Sequence, residues 1–194
     1  MKILLFLLAI ITCSRLCAQE RQPGKVQPPP PLPNFDPVNN ERFGTDYVPF
    51  SITTLDGKKL DNHSIKGKVT FFTFWFKNCA PCLSEFDELN ELHSHFRNDT
   101  NVVFAAITFD KKEDITDVLE KYKVTFPVAT ISSQEEAFRM NYRKGFPSVV
   151  VLDKDGKIRR SGVTTIVAND DKDSLATLTI DSARRLINRY KSNQ

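Results

Sequence analysis

Apolar and polar positions along the chain change period several times, and each change marks an element. The run KVTFFTFWF (residues 68–76) is apolar and aromatic almost throughout, which predicts a strand buried on both faces. NVVFAAITF (101–109) and PSVVVLD (147–153) predict two more core strands, and the turn signal Asp155-Gly156 leads into a fourth, KIRRSGV. Ahead of them, YVPFSITTLDGKKL alternates and carries Asp56-Gly57, the pattern of a β-hairpin. Between the strands the period lengthens. Cys82, Phe86, Leu89, Leu92 and Phe96 recur at helical spacing within 79–97, as do Ile115, Val118, Leu119 and Tyr122 in KEDITDVLEKYKV. A short helix is expected over 133–142. A closing helix is expected over 173–190, with Leu175, Leu178, Ala183, Leu186 and Ile187 as its apolar stripe. Strand–helix–strand crossovers require parallel pairing of the first two core strands, and a direct turn makes the last two antiparallel. The fold class is therefore α/β: a central mixed β-sheet flanked by helices on both faces, with an N-terminal β-hairpin.

The N-terminus departs from this pattern. In MKILLFLLAIITCSRLCAQE, Lys2 precedes an unbroken apolar run over residues 3–11. That run is shorter than the roughly 20 residues a membrane-spanning helix needs and fits the core of a secretory signal, with cleavage after Ala18. Residues 19–39, QERQPGKVQPPPPLPNFDP onward, are dense in proline and lack apolar periodicity, so they read as an extended spacer rather than a recognition ligand. The organisation expected is a signal peptide at 1–18, a Pro-rich linker at 19–39 and one folded domain at 40–194. The protein is then exported, to the periplasm or cell envelope. A competing reading lipidates Cys13 or Cys17 and tethers the domain to a membrane surface, although Thr12 and Leu16 suit such processing poorly.

Composition changes the picture little. The chain has 194 residues, 40% hydrophobic and 26% charged, as in soluble globular proteins. Net charge is +3 with no basic stripe, which gives nucleic-acid binding no support.

Cysteine usage changes it more. Cleavage after Ala18 removes Cys13 and Cys17 and leaves Cys79 and Cys82, in FWFKNCAPCLSEF, in an oxidising compartment. A structural zinc site needs four ligands. His93 and His95 lie two apart on a predicted helix, face different ways and read as solvated surface, and His63 stands alone, so no metal site is expected. A purely structural disulfide over so short a loop would restrict the unfolded chain little. The redox reading has a physical basis. Cys79 falls where a buried strand meets a helix N-terminus, whose free N–H groups favour a thiolate, the attacking species in disulfide exchange. Pro81 lies in the first turn, where its missing N–H costs nothing. Cys82 falls one turn inward. Cys79 is expected to be the exposed attacker and Cys82 the shielded resolver. Lys77 adds positive charge nearby, or is an ordinary loop lysine.

FWFKNCAPCLSEFDELNEL followed by GFPSVVVLDKDGKI resembles the thioredoxin superfamily, and within it the exported thiol–disulfide oxidoreductases of the TlpA/ResA type. The resemblance spans most of residues 43–194 and implies a thioredoxin-like fold for 40–194. It also implies a cis peptide bond at Pro147 beside the cysteines, with Phe146 offering backbone groups to an extended substrate. It suggests Asp110, at the end of the second core strand, as a buried acid serving the resolving cysteine; the alternative is a strand-end Asp capping the next helix. The sequence departs from many relatives at Asn78, where a second Trp is common. Lys77, Ala80 and Pro81 are the neighbours that would tune the reduction potential. Trp75 reads as packing beneath the site.

The function expected is protein thiol–disulfide exchange, more in the reducing than the oxidising direction. It needs no bound cofactor and takes oxidised client proteins and a membrane or extracytoplasmic electron donor as partners. Three alternatives compete. A thiol peroxidase would carry Pro-x-x-x-Thr-x-x-Cys, which Phe72 and Lys77 do not supply and for which Thr73 comes too early. A metal chaperone would favour a CxxxC spacing with a ligand His. A non-catalytic binding module leaves the cysteine pair and Pro147 unexplained.

Overall fold

The computed structural model describes residues 42–169 and 177–192, so the signal-peptide, lipid-anchor and linker readings lie outside the described residues. The first core run becomes β3 (Val69–Trp75), buried at every position. Both faces are covered, which is why the segment carries no alternation. β3 pairs in parallel with β4 (Val102–Thr108), from Val69↔Val102 to Trp75↔Thr108. On its other side it pairs antiparallel with β6 (Ser148–Leu152), which turns into β7 (Ile158–Val163). β4 continues in parallel to β5 (Val128–Thr130), and β5 pairs antiparallel with β1 (Ser51–Thr54), itself paired with β2 (Lys59–Asp61) across the Asp56-Gly57 turn. The sheet order is β2-β1-β5-β4-β3-β6-β7. It is the mixed sheet the pattern predicts, with β5 added. Three residues are too few for β5 to show a period of its own.

Alternation across the strands separates two cores. One face collects Phe71, Trp75, Phe104 and Val151 against the helices α1 (Ala80–Leu83), α2 (Phe86–Phe96), α3 (Lys112–Lys121) and α5 (Ile180–Ser192). The other collects Phe72, Phe74, Ile107 and Val150 against Tyr47, Phe50, Ile65 and Met140 of α4 (Gln134–Met140). Helices therefore cover both faces. Ser133 caps α4, its hydroxyl accepting the Glu136 N–H at 3.2 Å.

Two expectations are corrected. The single helix over 79–97 is two helices, α1 and α2, separated at Ser84 and Glu85. The Ser84 hydroxyl donates to the Pro81 carbonyl at 2.9 Å, and the Glu85 N–H turns back to Cys82 O at 3.4 Å instead of reaching Pro81. A side-chain donor thus replaces one backbone bond and tightens the turn. The closing helix begins at Ile180, not 173. Residues Thr177–Thr179 form β9, which pairs in parallel with β8 (Thr165–Val167) in a separate two-stranded sheet. Two β-branched threonines around a buried Leu178 favour that strand.

Phe86 joins the N-terminal end of α2 to the sheet. Its ring meets Trp75, Tyr122 and Phe126 at centroid distances of 5.0, 5.6 and 5.4 Å. Truncation to Ala leaves a cavity that these rigid rings cannot fill. Phe86→Ala is expected to lower unfolding free energy by about 3–5 kcal/mol, read as a lower urea midpoint at unchanged slope.

Candidate active site

The loop leaving β3 is built by backbone and side-chain bonds that deliver Cys79 to the start of α1. Cys79 N–H donates to Phe76 O at 3.0 Å, and Cys79 is the N-cap of α1, its Sγ accepting the Cys82 N–H at 3.3 Å. Ala80 and Pro81 follow as the exposed first turn. Cys79 and Cys82 are joined in a disulfide. Cys79 is 4% exposed and Cys82 0%, so the expected ranking stands, yet Cys79 is itself buried rather than exposed. Both cysteines belong to the α1–α2 core, and that apolar packing covers the first sulfur as well.

Asp110 lies beside this loop because β4 runs parallel to β3 and ends level with it. Its Oδ2 accepts the Lys77 N–H at 2.6 Å and the Thr108 hydroxyl at 2.9 Å. The carboxylate straps the residue two before Cys79. It does not cap α3, whose N-cap is Lys111 with no side-chain bond. The Lys77 ammonium points to Asp114, 3.5 Å away in an exposed ion pair.

On the opposite side, the register Phe74↔Ser148 sets Pro147 across from the end of β3, and the Phe146–Pro147 bond is cis. The Phe146 ring packs against Phe76, Phe109 and Phe138 at 5.4, 5.7 and 5.6 Å, a cluster of half-buried rings joined to the cysteine loop through Phe76. Asn141, which the sequence reading did not single out, braces this bend. Its buried amide donates to Gly145 O at 2.9 Å and to Ser148 Oγ at 3.0 Å, one bond on each side of Phe146-Pro147. Trp75 is fully buried under the site, edge-on to Phe86.

The second missed residue is Glu85. Three residues beyond Cys82, at the junction where α1 gives way to α2, it is 1% exposed. Its Oε2 accepts the Ile166 N–H at 2.7 Å, and Oε1 has no hydrogen-bond partner among the described residues. Burial pushes its carboxyl pKa up from 4.5 to about 8; the Ile166 amide opposes that rise, Glu88 adds to it and Thr73 opposes it. A signal for this residue exists in the sequence: a carboxylate on an apolar stripe, between Cys82 and Leu89.

His93 and His95 do not converge. His93 lies against the Phe104 ring, half-buried with its pKa lowered by burial, and so is not the solvated surface expected; His95 lies edge-on to Phe96. Among the described residues no group of three or more His, Cys, Asp or Glu is placed to hold a metal ion.

A disulfide at the end of a central strand, capped by a helix and faced by a cis-proline bend, is the geometry of thioredoxin-type exchange. Residues 43–161 match the AhpC/TSA family. The chain is 30% identical over 136 residues to the thiol-disulfide oxidoreductase ResA of Bacillus thuringiensis, covering 69% of this chain and 75% of that relative. The protein belongs to the AhpC/TSA family, among its thiol–disulfide oxidoreductases. Its fold is shared with a thiol:disulfide interchange protein of the thioredoxin family from Chlorobium tepidum, at TM-score 0.57 and 20% identity over 77% of this chain and 97% of that one. It is also shared with the thioredoxin domain of a thiol-disulfide oxidoreductase from Bacteroides vulgatus, at TM-score 0.58 and 20% identity over 75% and 97%. The protein is thus an enzyme of thiol–disulfide exchange whose reactive pair is Cys79 and Cys82.

The Glu85 carboxyl gives this oxidoreductase a distinctive pH dependence. Its pKa is raised to about 8 in the folded state and is ordinary, near 4.5, in the unfolded state, so the folded state holds the proton more tightly. That contribution is fully present below about pH 4.5 and is lost as pH rises through about 8. Between pH 5 and 9 the oxidised protein is expected to lose up to about 4 kcal/mol through this group, and Glu85→Gln to lose that much less. Urea titrations of both proteins across that range measure the difference.

Proposed function

We propose that the protein is exported and reduces disulfides in client proteins through the Cys79/Cys82 dithiol. The single observation that carries the division of labour is the N-cap geometry: Cys79 Sγ receives the Cys82 N–H at 3.3 Å, a donor that stabilises a thiolate there, and among the described residues no such donor meets Cys82 Sγ. In the reduced enzyme the Cys79 thiolate attacks one sulfur of the client disulfide. The other client sulfur leaves as a thiolate and takes a proton from solvent. Cys82 then gives its thiol proton to the Glu85 carboxylate, and its thiolate attacks Cys79 Sγ. The mixed disulfide breaks, the second client thiolate leaves, and the Cys79–Cys82 disulfide remains. Two electrons pass to the client, and a membrane or extracytoplasmic donor returns two to the enzyme.

Glu85 takes the proton-acceptor role in this scheme in place of Asp110. Its burial and its place three residues beyond Cys82, at the α1–α2 junction, support that choice, whereas the Asp110 carboxylate is engaged by the Lys77 amide and the Thr108 hydroxyl. Asp110 becomes a positioning residue. Phe146 and Pro147 form the edge against which the client chain lies, braced by Asn141. Lys77, Ala80 and Pro81 set the electrostatics and shape around Cys79. Export rests on the apolar run at residues 3–11 and on the cysteine pair itself.

Trapping tests the assignment. Cys82→Ser is expected to accumulate mixed disulfides with an oxidised protein substrate through Cys79, and Cys79→Ser to accumulate none; equal trapping by Cys79→Ser would reverse the roles. In stopped-flow measurements of resolution, Glu85→Gln is expected to slow the second step by about 10²-fold, with Asp110→Asn acting mainly on the first. A reduction potential close to that of thioredoxin supports the reducing direction, and one close to that of strongly oxidising relatives overturns it.

A further inference from the structure

The Glu85 carboxyl is held from outside the main sheet. β8 and β9 pair as Thr165↔Thr177, Ile166↔Leu178 and Val167↔Thr179. Ile166 and Leu178 both turn into the core that contains Cys82. The Ile166 N–H meanwhile donates to Glu85 Oε2 at 2.7 Å, across 81 residues of sequence. A bond that only satisfied a buried strand amide would be served equally by the neutral oxygen of a glutamine, without the cost of burying an ionisable carboxyl. An ionisable acceptor at this point makes the amide a control on charge.

The other groups acting on the carboxyl do not replace it. Glu88, on the same helix, is a like charge and disfavours ionisation, and the Thr73 hydroxyl of β3, itself without a hydrogen-bond partner among the described residues, favours it more weakly than the amide. Cys82 of α1 lies three residues back and is uncharged in the disulfide. From α5, Arg184 is engaged by Glu91 and Asp181, and Arg185 by the Ser182 hydroxyl. The strongest group favouring the carboxylate comes from β8.

We propose that β8 is a positioning element of the redox site: the Ile166 amide, presented by the β8–β9 pair, holds Glu85 as an ionisable acceptor beside Cys82, so that opening this pair changes proton transfer at Cys82 without touching either cysteine. The inference rests on the role of Glu85 as the acceptor of the Cys82 proton. It gives a three-residue strand outside the main sheet a function, since anything that separates β8 from β9 would act on the resolving half-reaction and leave the attack by Cys79 in place.

The test replaces the Ile166 amide by an ester, which deletes the N–H and keeps the side chain. Ile166→Pro is the genetic counterpart, and Ile166→Val retains the amide. Two readouts are taken: the Glu85 carboxyl titration by ¹³C NMR in the oxidised protein, and the pH profile of mixed-disulfide resolution in the reduced one. Loss of the amide is expected to move both midpoints up by about one pH unit, with Ile166→Val unchanged and no shift of the resolution profile in a Glu85→Gln background. An unmoved carboxyl titration in a folded ester variant overturns the role of β8 and leaves that of Glu85 intact. If Glu85→Gln resolves at the wild-type rate at every pH, the acceptor role itself falls, and the inference with it. Should Ile166→Pro fail to fold, the ester variant decides.

Discussion

Because β3 is covered on both faces along its whole length, it has no side on which a charged group could be solvated. Reactive chemistry is confined to the place where the strand stops. Parallel β4 and antiparallel β6 end or begin at that same level, so three chain segments converge there without any of them having to bend out of the sheet. From β3 comes the cysteine loop, from β4 the Asp110 strap, and before β6 the Phe146-Pro147 bend. The constraint that hides the strand is therefore what assembles the site at its edge.

A second constraint acts one turn further on. α1 is only four residues long, and its break from α2 is enforced locally by the Ser84 hydroxyl and the Glu85 amide. Because Glu85 N-caps α2 without a side-chain cap bond, its carboxyl is free to turn inward and meet β8. An uninterrupted helix would have no such junction next to Cys82. The broken helix and the two-stranded β8–β9 sheet are thus two halves of one arrangement, separated by 81 residues of chain and joined by one hydrogen bond.

Much of this was legible in the sequence, for reasons particular residues make plain. The strands at 69–75, 102–108 and 148–152 are short, continuous apolar runs rich in β-branched and aromatic residues, the pattern of a doubly covered strand. The cysteine pair and Pro147 were recognisable as a combination, since either alone is weak. The helix break was not legible, because Cys82, Phe86 and Leu89 keep helical spacing straight through Ser84 and Glu85: a tightened turn barely changes the phase of the apolar stripe. β9 was absorbed into the predicted closing helix because Leu178 fits the stripe of α5 as well as it fits a strand. The family resemblance suggests Asp110, at the end of the second core strand, as a buried acid, with a helix-capping Asp as the alternative. Position along the chain placed it at the site, but not the direction of its carboxylate, which depends on a Lys77 amide that only the folded loop presents. The more informative signal is Glu85, a carboxylate set within the apolar stripe between Cys82 and Leu89.

The inequality of the two sulfurs comes from backbone geometry more than from side-chain charge. Lys77 is the nearest cation in sequence, but its ammonium is directed to Asp114 in an exposed pair, where water and salt screen it. The Cys82 N–H, by contrast, is fixed on Cys79 Sγ by the turn itself and is shielded from competing water by the burial of both cysteines. A donor in a dry site acts more strongly than a mobile charge in a wet one. Substituting Ala80 or Pro81, which shape that turn, should therefore change the Cys79 thiolate more than substituting Lys77. Among the described residues no such donor meets the other sulfur. In the proposed scheme Cys82 depends on a base to lose its proton, and the buried carboxyl three residues on, at the α1–α2 junction, raised to a pKa of about 8 and bonded to the β8 amide, is the group assigned to it.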